Sequence, residues 1–180
     1  MDVQNDQYGQ LEKAGQEAGL LANVKRVLAA ARARGVLVVH VVARFRPGHP
    51  EASPRNRFNM HNREVGRLVE GSHGAEIHRE VAPLESEIVV TKRRVNGFHG
   101  TDLEEVLRAN GIESIALTGI ATRGVILSTT RYAADADYDI AILRDCVGDP
   151  DPEVHAVLMD KVFPMQAAVT NADAFVKAIG

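Results

Sequence analysis

The chain has 180 residues, 45% of them hydrophobic and 25% charged, with a formal net charge of −3. That length supports one domain over residues 1–180 with a full core, and the charge balance gives no basic footprint for nucleic acid. No stretch approaches the roughly 20 apolar residues of a membrane span. The single cysteine, Cys146, excludes an internal disulfide, and no secretory signal peptide is visible, so a reducing, cytoplasmic setting is expected.

In chain order, Asp2 opens an acidic DVQND segment. From Glu17 to Arg34, Leu20, Leu21, Val24, Val27, Leu28 and Ala31 keep helical spacing, with Gly35 at the stop. Val36 to Ala43, VLVVHVVA, has the continuous apolar character of a strand buried on both faces; His40 within it reads as a hydrogen-bonded core histidine. Arg44 to Asn62, with three prolines and four arginines, reads as a long loop at the carboxyl end of that strand. Arg44 and Arg46 are candidates for binding a substrate carboxylate, against the alternative of a solvated loop.

Glu87 to Thr91 is the next strand, with Lys92 at its carboxyl edge and Phe98 beyond it, either lining a pocket or packing in the core. Thr101 is the expected N-cap of a helix to Asn110, with Glu104 completing a capping box. Ser114 to Thr118 and Tyr138 to Leu143 are further strands, and a helix is expected from about Gly124 to Asp137. Asp151 followed by Pro152 starts a helix, Ala167 to Thr170 forms a short last strand, and Asn171 caps a terminal helix. Alternating strands and helices predict an α/β fold: a three-layer α/β/α sandwich around an open, mostly parallel, Rossmann-like sheet.

Within this pattern Ile115 to Arg131, IALTGIATRGVILSTTR, changes from strand to helix across Gly119. In an open parallel sheet such a turn lies in the ligand-binding crevice, and the unpaired amides at the helix start suit an anion or an oxyanion. GIATRG matches neither GxGxxG nor GxxxxGK[ST], which excludes dinucleotide and P-loop readings. His49, His61, His73 and His78 lack a tight ligand pair, so no metal is expected. Cys146 has no context of an activated thiol, and Ser128 and Thr129 lie too far into the helix to attack a substrate held by the turn.

DVQND at Asp2 to Asp6, VTKRRVNGFHGTDL at Val90 to Leu103 and the Gly119 turn, in this order and spacing, resemble the isochorismatase-like hydrolase superfamily, also called the cysteine hydrolases. The resemblance implies Asp2 and Lys92 as catalytic residues, backbone N–H groups of Ala121 and Val125 as an oxyanion hole, and a cis peptide before Ala121. Arg123 joins Arg44, Arg46 and Phe98 as substrate-binding candidates. The family's nucleophilic cysteine falls six residues after the turn glycine, where this chain has Val125. Metal-binding nicotinamidases in the family carry an Asp-x-His signature where this chain reads Arg-Phe-Arg. In the family the aspartate ends the first strand, whose apolar residues are not present before Asp2. A truncated first strand is therefore expected: either the sequence starts inside the natural protein, the favoured reading because losing a central strand removes several buried apolar side chains, or the sheet lacks most of an internal strand.

The resemblance implies no cofactor, a small-molecule substrate and a homodimer or homotetramer. Two readings stand. One is a hydrolase of a small, anionic vinyl ether or amide that uses Asp2, Lys92 and water. The other is a catalytically silent relative that binds a small molecule or serves as an oligomeric partner.

Overall fold

Every strand pairing is parallel, and helices lie on both sides of the strands. The computed structural model describes residues 1–180. The elements are α1 (Asn5–Ala14), α2 (Leu20–Ala33), β1 (Val39–Ala43), α3 (Arg57–Glu64), β2 (Ile88–Lys92), α4 (Leu103–Ala109), β3 (Ser114–Ile120), α5 (Leu127–Asp135), β4 (Asp139–Gly148), α6 (Pro152–Val157), β5 (Ala168–Thr170) and α7 (Ala172–Ala178). The expected layered α/β architecture is thus present. The sheet, however, is in two pieces, β1–β2 and β3–β4–β5.

Residues 1 and 2 stand between the pieces. Asp2 donates its backbone N–H to Val41 at 2.8 Å on one side; Ile120 donates to the Met1 carbonyl at 3.1 Å on the other. They lie at one end of the space between β1 and β3, which is otherwise unpaired. The same gap accounts for the shortened β1. Val36 to Val38 have strand-forming side chains, but β2 begins pairing only at Val39 and nothing pairs with these residues from the other side.

Two apolar clusters flank the sheet. One gathers Leu103, Leu107, Val125, Ile126, Ile140, Ile142 and Phe163; the other gathers Leu11, Leu20, Val24, Val27, Leu143, Cys146 and Ala172. Helix α2 buries the Leu20, Val24, Val27 and Ala31 stripe that its sequence spacing predicts. Asp151 caps α6 through Glu153 and Val154, and Asn171 caps α7 through Ala174, as expected.

Three local expectations are corrected. Thr101 does not occupy the N-cap position, which is Asp102, whose side chain makes no cap bond; the Thr101 hydroxyl donates to Gly97 and accepts the Leu103 N–H at 3.3 Å, and Glu104 pairs with Arg108 and Tyr132 instead of closing a box. The segment from Arg44 to Asn62 is not all loop, since Asn56 accepts from the Asn59 N–H and starts α3. The helix expected from Gly124 begins as a wide π-type turn over Thr122–Ile126 and becomes α-helical at Leu127.

Candidate active site

The carboxyl ends of β1, β2 and β3 converge on Asp2. Lys92, the last residue of β2, places its Nζ 2.8 Å from Asp2 Oδ2, and both side chains are almost completely buried. The Lys92 ammonium also donates to the Arg94 carbonyl at 3.1 Å. The other carboxylate oxygen, Asp2 Oδ1, is sealed from solvent and has no hydrogen-bond partner. A buried carboxylate with one oxygen held and the other unused is a ready acceptor for a ligand or water proton.

Asp2 sits in the left-handed region at φ 54°. It is held there by bonds on either side. The Met1 ammonium donates to Thr118 at 2.6 Å, and Gln4, fully buried, donates to the Ala43 and Ala75 carbonyls while accepting from the Ala43 N–H. The approach to the turn is equally close. At Gly119, φ 135°, a Cβ would lie 1.8 Å from the Met1 carbonyl oxygen, so only glycine lets the first residues lie against β3.

The Ile120–Ala121 peptide is cis, as the resemblance implies. The Ala121 N–H has no backbone acceptor, while its carbonyl receives the Gly124 and Ile126 amides. Val125 is buried in the core cluster, and its side chain offers neither nucleophile nor proton. Asp149, buried beyond β4, accepts the Arg123 N–H at 2.9 Å and pairs with the Arg123 guanidinium at 3.3 Å; Thr122 shares a 2.7 Å hydrogen bond with Nδ1 of His155. These contacts fix the turn from the α6 side.

The structure brings Asp2, Lys92 and the Gly119 turn together and disperses the other candidates. Arg44 directs its Nε to the Ala75 carbonyl at 3.5 Å, and Arg46 pairs with Glu51 at 2.5 Å. Arg123 remains half-exposed on the turn. Phe98 is in the core, stacked on Tyr132 and Tyr138 with centroids 4.7 and 5.9 Å apart. Of the four scattered histidines, His49 is buried against the Arg67 carbonyl and Phe45, while His73 is exposed beside Glu76. No three His, Cys, Asp or Glu side chains form a group able to hold a metal ion. His40 bonds to Glu87 at 3.1 Å, the core role expected of it; burial lowers its pKa, and the Arg32 hydrogen bond holds Glu87 down to about 2.

Cys146 is fully buried in the second apolar cluster, and burial, with Asp145 beside it, pushes its thiol up to about 12. The native protein is therefore expected to react with a thiol-specific disulfide reagent no faster than it unfolds, with one equivalent released in denaturant. Rapid labelling of the folded protein contradicts this placement.

Sequence reasoning misses Gln4, Asp149 and the Thr122–His155 contact. Gln4 and Asp149 are polar residues whose burial comes from tertiary neighbours, so no periodicity marks them; Asp149 at least stands in a DPDPE turn signal.

Comparison with known proteins gives the family. The isochorismatase domain model matches residues 1–174. The chain is 31% identical to the ureidoacrylate amidohydrolase RutB of Enterobacter sp. (strain 638), over 97% of this chain and 80% of that protein. Among solved structures it is similar to an isochorismatase family protein from Desulfovibrio vulgaris (TM-score 0.87, 28% identity, 99% and 94% of the two chains). It is also similar to N-carbamoylsarcosine amidase from Thermoplasma acidophilum (TM-score 0.70, 27% identity, 86% and 83%). With a family model spanning nearly all of its length and the Asp2, Lys92 and Gly119 elements gathered at the strand ends, this chain belongs to the isochorismatase family of hydrolases.

Proposed function

We propose that this chain hydrolyses a small anionic substrate, an amide or a vinyl ether, with Asp2 and Lys92 acting on water in place of a cysteine nucleophile. The buried Asp2–Lys92 pair beside the Gly119 turn, with Asp2 Oδ1 unpartnered, carries this reading. Val125 stands where the family's cysteine would be, so the attacking group has to come from solvent. Similarity to a ureidoacrylate amidohydrolase and to an N-carbamoylsarcosine amidase supports the amide class.

For an amide, water adds to the carbonyl carbon as Asp2 Oδ1 takes its proton. The oxyanion is met by the Ala121 and Val125 amides, whose donors do not depend on the side chain at position 125. The C–N bond then breaks, and the proton held by Asp2 goes to the leaving nitrogen. Lys92 orients the carboxylate and offsets the negative charge gathered there. Arg123, half-exposed on the same turn, is the arginine best placed to receive a substrate carboxylate.

The test is product release from ureidoacrylate, N-carbamoyl amino acids and isochorismate, read as ammonia or pyruvate. Asp2→Asn and Lys92→Met are each expected to lower turnover by about 10²–10⁴-fold. An Asp2→Asn protein that keeps full turnover overturns the proposal. The inert, buried Val125 side chain favours the second reading, a silent relative that binds without turnover. That reading predicts thermal stabilisation by one of these compounds with no product formed. Under either reading we expect two or four copies per particle, measurable by light scattering.

A further inference from the structure

The turn that carries the Ala121 amide has few bonds of its own. Gly124 and Ile126 both donate to the Ala121 carbonyl, at 3.1 and 3.3 Å, and α-helical geometry begins only at Leu127. The two residues between Ala121 and Gly124 are held by side chains from outside the turn. Asp149 accepts the Arg123 N–H, and His155, in the last turn of α6, shares its Nδ1 with the Thr122 hydroxyl at 2.7 Å. Thr122 is fully buried, and its hydroxyl makes this one hydrogen bond.

The direction of that bond depends on the state of the imidazole. With the ring neutral and its proton on Nε2, Nδ1 is an acceptor and the hydroxyl donates to it. A protonated ring carries a proton on Nδ1 as well, so Nδ1 donates and the hydroxyl has to turn its own proton away. Thr122 is enclosed, and the reversed bond leaves that proton buried without an acceptor. The anchor of the turn is therefore sound only while His155 is uncharged.

The surroundings of the ring keep it so. Burial is the largest influence and lowers its pKa; Arg144 of β4 adds to this, while Asp149, beyond β4, and Asp160, after α6, oppose it. These charges are themselves paired, Arg144 with Asp160 and Asp149 with Arg123, which also reaches Asp151. The ring is neutral at neutral pH.

We propose that His155, in its neutral form, is a positioning residue for the oxyanion site: it fixes Thr122, and through Thr122 it holds the adjoining Ala121 amide in the orientation that meets developing negative charge. The proposal rests on the reading of Ala121 and Val125 as oxyanion donors. His155 acts through Thr122, at one remove from the reacting atoms. Its effect falls on kcat more than on KM, because an oxyanion forms only after the substrate is bound.

The experiment compares the full chain with His155→Asn and His155→Leu. Asparagine carries an oxygen on Cγ where histidine carries Nδ1, so it keeps the bond to Thr122 and does not titrate; leucine makes no bond. Hydrogen exchange, corrected for intrinsic rates, is followed at Gly124 and Ile126 from about pH 5 to 8, with Val41 and Val90 of the β1–β2 pair as the reference for global opening. In the parent chain, protection at Gly124 and Ile126 relative to the reference is expected to fall about tenfold as the ring is protonated. The Leu variant is expected to show the low value at every pH, and the Asn variant the high one. With a compound that the parent turns over, His155→Leu is expected to lower kcat about tenfold and leave KM within about twofold, and His155→Asn to restore kcat without the parent's histidine-dependent loss at low pH. Parent-like protection in the Leu variant, or an Asn variant that behaves as the Leu variant does, overturns the proposal. A parent chain that turns over none of the compounds removes the catalytic reading, while the exchange comparison still decides whether His155 holds the turn.

Discussion

Replacing Lys92 with methionine is expected to lower stability by about 3–5 kcal/mol, a fall in Tm of roughly 6–20 °C for a chain of this size. The dominant cause is the uncompensated charge left on Asp2, more than the removal of the ion pair itself. Asp2 and Lys92 face each other at 2.8 Å with almost no solvent access, and Asp2 Oδ1 already lacks a partner. Without the ammonium, the carboxylate is buried alone. The double variant Asp2→Asn/Lys92→Met removes both charges, and asparagine tolerates the left-handed backbone that Asp2 adopts at φ 54°. It is expected to recover most of the stability, so that the two substitutions are strongly non-additive in urea or thermal unfolding. A Lys92→Met protein as stable as the parent, or a double variant less stable than the single, contradicts this account of the pair.

For a chain that begins with a free Met1 amine, the second large effect is a dependence on pH. Burial lowers the Met1 α-amino group from 8.0 to about 6; the Asp2 charge opposes the shift and Lys92 adds to it. The unfolded chain therefore takes up this proton as pH falls through 8, while the folded chain does so only near 6. Between these values the unfolded state binds more protons, so stability rises with pH across the window. Two pKa units correspond to about 2–3 kcal/mol, a penalty fully present below pH 6 and gone above pH 8. His40 and His155, both lowered by burial, act in the same direction, but only below their ordinary value of 6.5. Acetylation of Met1 separates the contributions. The acetylated chain is expected to lose the rise between pH 6 and 8 and keep the histidine part; identical stability profiles with and without the acetyl group rule out the terminal ammonium as the cause.

Much of the architecture is legible because it is written locally. Asp151 before Pro152, Asn171 before its helix and the apolar stripe of α2 each carry their signal within a few residues, and each forms as read. The failures arise where a competing partner, local or distant, takes the side chain that the pattern assigns. Thr101 and Glu104 have capping-box spacing, but Gly97, Arg108 and Tyr132 compete for their side chains. Helix α1 carries no clear local signal: its sequence is mostly polar, Gln4 makes no side-chain cap, and Leu11 alone is buried. For the site, residue types and periodicity identify a strand–turn–helix crevice at Gly119. Asp2 and Lys92 stand out only through resemblance, since no local pattern pairs a residue near the chain start with one at the end of β2. The inward face of Gln4 and the burial of Asp149 depend on several elements at once and leave no local trace.

The bond from Met1 to Thr118 joins positions 117 apart in the chain, which sets an order of events during synthesis. Helices α1 and α2 and the β1–β2 pair can form from the first half alone, and β3 to β5 pair with near neighbours. The first residues have no place to settle until β3 has emerged, because Thr118 and Ile120 supply one wall of their seat. Closing so long a loop carries its entropy cost before any contact offsets it, so this closure comes late in folding. The Asp2–Lys92 pair is then among the last features to assemble, and a nascent chain that ends before Thr118 lacks one wall of the site however much secondary structure it has acquired.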